Sequence, residues 1–141
     1  MGFFDIADIS SSGMSAEQMR MNVIADNIAN SETTNSEDGG PYKRKSVMLE
    51  AVQGSQFATV FSNKVGGGVK VSQVVSDKNP PKMVFDPNHP NADKNGYVKY
   101  PNVSVVNEMV DMLSASRAYE ANITMFNLAK NMELKALDIG R

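Results

Sequence analysis

All six prolines of this 141-residue chain fall between Pro41 and Pro101. Proline lacks a backbone N–H, and its ring clashes with the preceding helical turn. The distribution therefore bars long helices from the middle and permits them only at the two ends. From Phe4 to Ala29 a single glycine, Gly13, interrupts helix-compatible residues, and from Val103 to Leu137 there is neither Pro nor Gly. This predicts an N-terminal helix over residues 1–30, a loop and β-rich insert over 31–101 and a C-terminal helix over 102–141. Asn102 or Ser104 is the candidate N-cap of the last helix, and Gly140 its stop.

Both ends repeat in sevens. In the first, Ile9, Ala16 and Val23 share a heptad position, with Ile6, Gly13, Arg20 and Asn27 at its partner. A second row runs Met14, Met21 and Ile28, joined by Ile24. In the last, a seam in steps of four and three runs Val105, Met109, Met112, Ser116, Tyr119, Ile123, Phe126, Lys130, Glu133 and Leu137. Beside it Val103, Val106, Val110 and Leu113 give way to Arg117, Glu120 and Thr124. Pairing the helices as an antiparallel coiled-coil hairpin buries one stripe of each. The remaining rows face outward, and apolar surface of that extent marks an interface. Asn27 is a poor helix-interior residue but a good register-setting polar group.

The middle is punctuated by turn residues. Ser31 to Pro41 is a loop by every local criterion. β-Prone runs follow at Lys45–Glu50, Phe57–Phe61, Val69–Val75 and Lys82–Phe85, and Asn95-Gly96 before Tyr97–Tyr100 is a hairpin-turn signal. The expected fold is mainly α, with a central β-rich insert of three to five short strands between the long terminal helices.

Several functions are disfavoured by composition. Lys plus Arg number 14 and Asp plus Glu 16, a net charge of −2 that offers no broad field for nucleic acid. Cysteine is absent, which removes disulfides and thiolate metal sites. No stretch is long and apolar enough for direct membrane insertion. The start, Met1 to Ile9, carries Asp5 and Asp8 and no basic residue, so it lacks the basic-then-apolar order of a cleaved signal peptide. Methionine reaches 10 residues and tryptophan none. That fits a gap-filled core as well as helix surfaces adapting to several neighbours.

Catalytic and metal readings find little support. The one histidine, His89, sits in a turn-forming stretch, and no Gly-x-Ser-x-Gly elbow accompanies it. Asp86 to Gly96 is rich in Asp and Asn, but Pro90 stands where a calcium loop needs an oxygen ligand and no glutamate closes it. Gly66-Gly67-Gly68 lacks the Lys and Ser/Thr of a phosphate cradle and reads as a turn. Lys43-Arg44-Lys45 beside Tyr42 is the only basic cluster, either a solvated strand start or a contact for an acidic partner. No catalytic residue, cofactor or metal is expected.

Ser11 to Asn30, with Met19-Arg20-Met21-Asn22 and Asp26-Asn27-Ile28-Ala29-Asn30, resembles the N-terminal signature of flagellar rod and hook axial proteins. Ser31 to Thr34, Gly39 to Lys45, Val84 to Pro90, Gly96-Tyr97-Val98 and Pro101-Asn102-Val103 resemble the C-type branch of that family. Asn107 to Met112 and Arg117 to Asn122 resemble its C-terminal helix. The resemblance implies a structural subunit of the basal body that polymerises helically into the proximal rod, a drive shaft within the periplasm. It implies export through the flagellar type III apparatus without a cleaved signal peptide. The partners implied are rod proteins of the FlgB, FlgF and FlgG types and FliE. The expected assembly interface is Ile9, Ala16, Val23, Ile24, Asn27 and Ile28 with Met109, Met112, Tyr119, Ile123 and Phe126. The alternative from another class is a soluble helical binding module or chaperone of an export system.

Overall fold

The computed structural model describes residues 3–36, 39–52 and 67–139. The expected Phe57–Phe61 strand, Gly66 and the Gly140 stop lie outside them. Helix α1 spans Phe3–Ala29, strands β1 to β4 span Lys45–Ala51, Val69–Ser76, Lys82–Phe85 and Tyr97–Tyr100, and helix α2 spans Val105–Ile139. The terminal helices pack on each other, and the β elements lie between them in sequence.

Local chemistry sets the helix ends. At the close of α1, Asn30 Nδ2 donates to the Asp26 carbonyl at 2.9 Å and Ser31 Oγ to the Ile28 carbonyl at 2.8 Å. These side chains satisfy acceptors that the last helical turn leaves open. At the start of α2 the Ser104 carbonyl accepts the Glu108 N–H at 3.0 Å. Of the two candidates, Ser104 therefore occupies the N-cap position.

Two contacts fix the pairing of α1 with α2. Asn27 Nδ2 bonds Glu108 Oε2 at 2.9 Å, and a Cβ on Gly13 would lie 2.9 Å from Asn122 Nδ2. The first residue of each pair moves back by fourteen as the second advances by fourteen, so the helices are antiparallel and in heptad step. Stepping by seven puts Arg20 opposite Ala115 and Ile6 opposite Ala129, and both alanines are buried. The seam of α2 is thus Glu108, Met112, Ala115, Tyr119, Asn122, Phe126 and Ala129.

Half of the expected seam is displaced. Met112, Tyr119 and Phe126 face α1 as expected, but Met109, Ser116, Ile123 and Lys130 are replaced by the row one residue earlier. The reason is steric. In this row the small residues Ala115 and Ala129 and the polar Glu108 and Asn122 let the backbones approach, whereas Met109 and Ile123 stay outside. Met109 is 58% exposed. Beyond Ala129 every residue from Lys130 to Asp138 is exposed, because α1 begins at Phe3 and the last two turns of α2 outrun it.

The antiparallel β1–β2 ribbon lies along α1, fastened at both ends. Lys45 of β1 meets Asn27, and the N–H of Val69 in β2 donates to Ser12 Oγ at 3.1 Å. The fifteen helical residues between Ser12 and Asn27 cover about 22 Å. A seven-residue strand covers nearly the same length. Gly68 has φ +127, and a Cβ there would lie 2.6 Å from Ser12 Oγ, so this end of the ribbon accepts only glycine. A bulge between Met48 and Leu49 pairs Met48 with Gln73 and Leu49 with Val71, so Ser72 is the extra residue. It keeps Val71 and Val74 on the face shared by Val47 and Leu49.

β3 and β4 pair from Lys82↔Tyr100 to Phe85↔Tyr97, with Val98 fully buried. Asn95-Gly96 is a turn but not a two-residue hairpin connection. Gly96 N–H returns to the Asp93 carbonyl at 3.0 Å, and the strands are joined by the whole stretch from Asp86 to Gly96. Asp93 Oδ1 accepts the N–H groups of Asn95 and Tyr97 at 2.7 and 3.1 Å, which makes the longer loop rigid enough to serve.

Gly13→Leu forces a side chain into the Asn122 amide and should lower unfolding stability by about 1–3 kcal/mol, the usual range for overpacking. The shift in urea midpoint, with circular dichroism reporting helix, measures it.

Candidate assembly interface

A buried polar cluster positions the helix pair. Asn27 is fully buried, and all its side-chain hydrogen-bonding capacity is used. Nδ2 donates to the Lys45 carbonyl at 2.8 Å and to Glu108 Oε2 at 2.9 Å. Oδ1 accepts from the Tyr42 hydroxyl at 3.0 Å and the Lys45 N–H at 2.9 Å. One side chain thus joins the last turn of α1, the start of β1 and the first turn of α2.

Glu108 is 1% exposed and its charge is compensated from three sides. Arg44 Nε donates to Oε1 at 2.6 Å, Asn27 serves Oε2, and the first turn of α2 places the carboxylate at the positive end of the helix. Arg44 also reaches Asp111 at 3.5 Å. Burial pushes the Tyr42 phenol above its ordinary value of 10.0, and the charges of Asp26 and Glu108 add to that.

The expected interface residues divide into two groups. Ala16, Val23, Ile24 and Asn27 are buried within the chain, and Ile9, Ile28, Met112, Tyr119 and Phe126 are half-buried. Met109 and Ile123 are exposed. On the face of α2 turned away from α1, Val106, Val110, Leu113 and Leu128 also stand out, Val110 at 63% exposure. Among the described residues that apolar face is left exposed.

Other candidates have local roles. His89 Nδ1 accepts the Asn91 N–H at 3.1 Å, and its ring stands edge-on to Tyr100. Asp86 Oδ1 accepts the Asn88 N–H at 3.2 Å, so the Asp/Asn-rich stretch is built from its own turns. Among the described residues no group of three His, Asp or Glu is placed to hold a metal, and no helix is long and apolar enough to cross a membrane. Arg44 is an ion-pairing residue of the cluster rather than part of a solvated strand start.

Sequence reasoning singled out Asn27 but missed Tyr42, Lys45 and Glu108 as its partners, and Arg44 as the ion pair of Glu108. A signal was present. Glu108, Ala115, Asn122 and Ala129 recur in steps of seven, as Asn27, Arg20, Gly13 and Ile6 do in reverse. A search for apolar residues passes over such a row.

The sequences of the two terminal helices match a class of protein. Residues 8–35 match the family model "Flagella basal body rod protein", and residues 94–139 match "Flagellar basal body rod FlgEFG protein C-terminal". Among individual relatives, the flagellar basal-body rod protein FlgC of Salmonella typhimurium is 44% identical over all of both chains. FlgC of Borreliella burgdorferi is 43% identical, covering 99% of this chain and 98% of its own, and FlgC of Bacillus subtilis is 38% identical over all of both. The chain belongs to the FlgC family of flagellar basal-body rod proteins and is a structural subunit of that rod.

Asn27→Leu leaves the Lys45 N–H and carbonyl, the Tyr42 hydroxyl and one Glu108 oxygen without their partner, and should cost about 2–4 kcal/mol in a urea titration. The Tyr42 shift has a definite sign. A phenol whose folded pKa lies above its unfolded one contributes stability that is complete below pH 10 and lost as pH rises through the folded value. Stability of the parent protein should therefore fall above pH 10 more steeply than that of Tyr42→Phe, as measured by unfolding at pH 9 to 11.

Proposed function

We propose that this subunit enters the proximal rod by coupled folding and assembly, with the uncovered face of α2 as its main contact. The observation that carries this is the row Val106, Val110 and Leu113 with Met109 and Ile123, exposed on α2 outside its packing against α1. Ordering a long helix is marginal in water without packing on its apolar face. Neighbouring subunits supply that packing. Ala16, Val23, Ile24, Asn27, Met112, Tyr119 and Phe126 hold the hairpin that presents the face, and Ile9 and Ile28 flank it.

In this reading the terminal helices form the inner layer of a tube and residues 31–101 lie further out. Heterologous contacts that do not close extend it as a helix. The neighbours are further copies and rod proteins of the FlgB, FlgF and FlgG types, with FliE at the base. The chain reaches the periplasmic rod through the flagellar type III export apparatus, without a cleaved signal peptide, and catalyses nothing.

The test combines two measurements. Leu113→Asp or Ile123→Asp should abolish rod assembly and motility while export of the protein continues. Dilute protein should show incomplete helix by circular dichroism and gain helix as concentration rises and larger species sediment. Complete helix in a dilute monomer, or motility retained in both variants, overturns the proposal. A fixed small stoichiometry at all concentrations points to a binding module instead.

A further inference from the structure

Each terminal helix carries an exposed row whose charges are all of one sign. On α2 the row runs from Val106 to Lys135 in steps of three and four, about half a turn round the helix from the buried Glu108, Ala115 and Ala129. Every residue in it is exposed, and its two charges are Arg117 and Lys135. On α1 a row of the same kind runs from Asp8 to Ala29, exposed throughout, and its two charges are Asp8 and Asp26. Among the described residues none of these four is in an ion pair. The spacings agree. Asp8 and Asp26 stand eighteen residues apart, as Arg117 and Lys135 do. Eighteen residues make five whole turns, so each pair lies on one line along its helix, about 27 Å apart.

We propose that the exposed row of α1 in one copy of this chain packs antiparallel on the exposed row of α2 in a second copy, with Asp26 on Arg117 and Asp8 on Lys135. This rests on the reading of the chain as an assembling rod subunit, and it adds which helix covers the C-terminal half of the α2 face. The same register matches size between the charges. Ser15 meets Leu128, Met19 meets Thr124 and Asn22 meets Ala121, so a smaller residue stands opposite each larger one. The other charges of α2 do not oppose the pairing. Glu120 and Asp138 sit about 60° to one flank of the row, where α1 offers Gln18 and Ala25 and no carboxylate. Lys130 and Glu133 lie round the far side of the helix.

The register also sets a stagger. Within one molecule, facing residues of α1 and α2 have numbers that add to 135, as Asn27 and Glu108 do. Between copies the numbers add to 143, as for Asp26 and Arg117. The second copy is therefore advanced by eight residues, about 12 Å along the helices. That advance brings the start of its α1 level with the end of α2, and so covers the turns of α2 that outrun their own partner. Opposite charges at two fixed points select this register against a slip of one heptad. The contact joins two different faces, so each end of the stack keeps an open row and growth does not close.

The test uses the full chain, which has no cysteine of its own. Under oxidation a mixture of N22C and A121C chains should form a disulfide between copies, whereas N22C with S114C or with L128C, each one heptad out of register, should form little. In sedimentation velocity D8K/D26K and R117E/K135E should each weaken self-association by about tenfold or more. Mixing these two variants should restore it, because each reversed row then meets its complement. The cross-link changes no charge, so it decides where a reversal variant fails to fold. No cross-link between N22C and A121C, reversals without effect, or a mixture that does not recover each overturns the proposal. If the cross-link and the reversals both fail while Leu113→Asp still prevents rod assembly, the pairing is wrong and the rod reading stands. If Leu113→Asp and Ile123→Asp leave motility intact while the cross-link forms, the failure lies in the rod reading.

Discussion

The structure turns on one buried amide. Asn27 has two donors and two acceptor sites, and all four are used, by the N–H and carbonyl of Lys45, the Tyr42 hydroxyl and the Glu108 carboxylate. A buried polar network is stabilising only when it is fully satisfied, and a single missing partner leaves a group that would prefer water. The requirement is strict. Any sliding of α1 along α2, or withdrawal of β1, breaks several bonds at once. The heptad repeat alone would tolerate a slip of one repeat, since leucine-like rows look alike after seven residues. The Asn27–Glu108 pair and the close Gly13–Asn122 approach do not.

Local register then decides what remains outside. Because Glu108, Ala115, Asn122 and Ala129 take the inner row, Met109 and Ile123 are rotated outward to join Val106, Val110 and Leu113. Large apolar residues such as Met109, Val110 and Leu113 therefore stand exposed, while Ala115 and Ala129 are buried.

Much of the architecture was legible in the residues. Proline placement located both helices, and β-branched runs located Lys82–Phe85 and Tyr97–Tyr100 to the residue. The seam of α1 was legible because Ile9, Ala16 and Val23 are apolar. The seam of α2 was only half legible, since Ala115 carries little hydropathy and Glu108 and Asn122 carry the wrong kind. Nor did Arg44 announce itself. A basic residue between two lysines gives no local sign that a glutamate far along the chain will be buried against it. Long-range polar pairing depends on three-dimensional closeness, which periodicity cannot express.

The ribbon of β1 and β2 is tied to α1 at Ser12 and again at Asn27. Two fastenings separated along a helix act like the ends of a splint. Rotation of the helix about its own axis would drag both ties around and shear the strands, so the ribbon shares any torque applied along α1. A lone helix is compliant in torsion; one braced this way gains cross-section without gaining length. In a shaft made of many such units, that bracing stiffens the wall against twist.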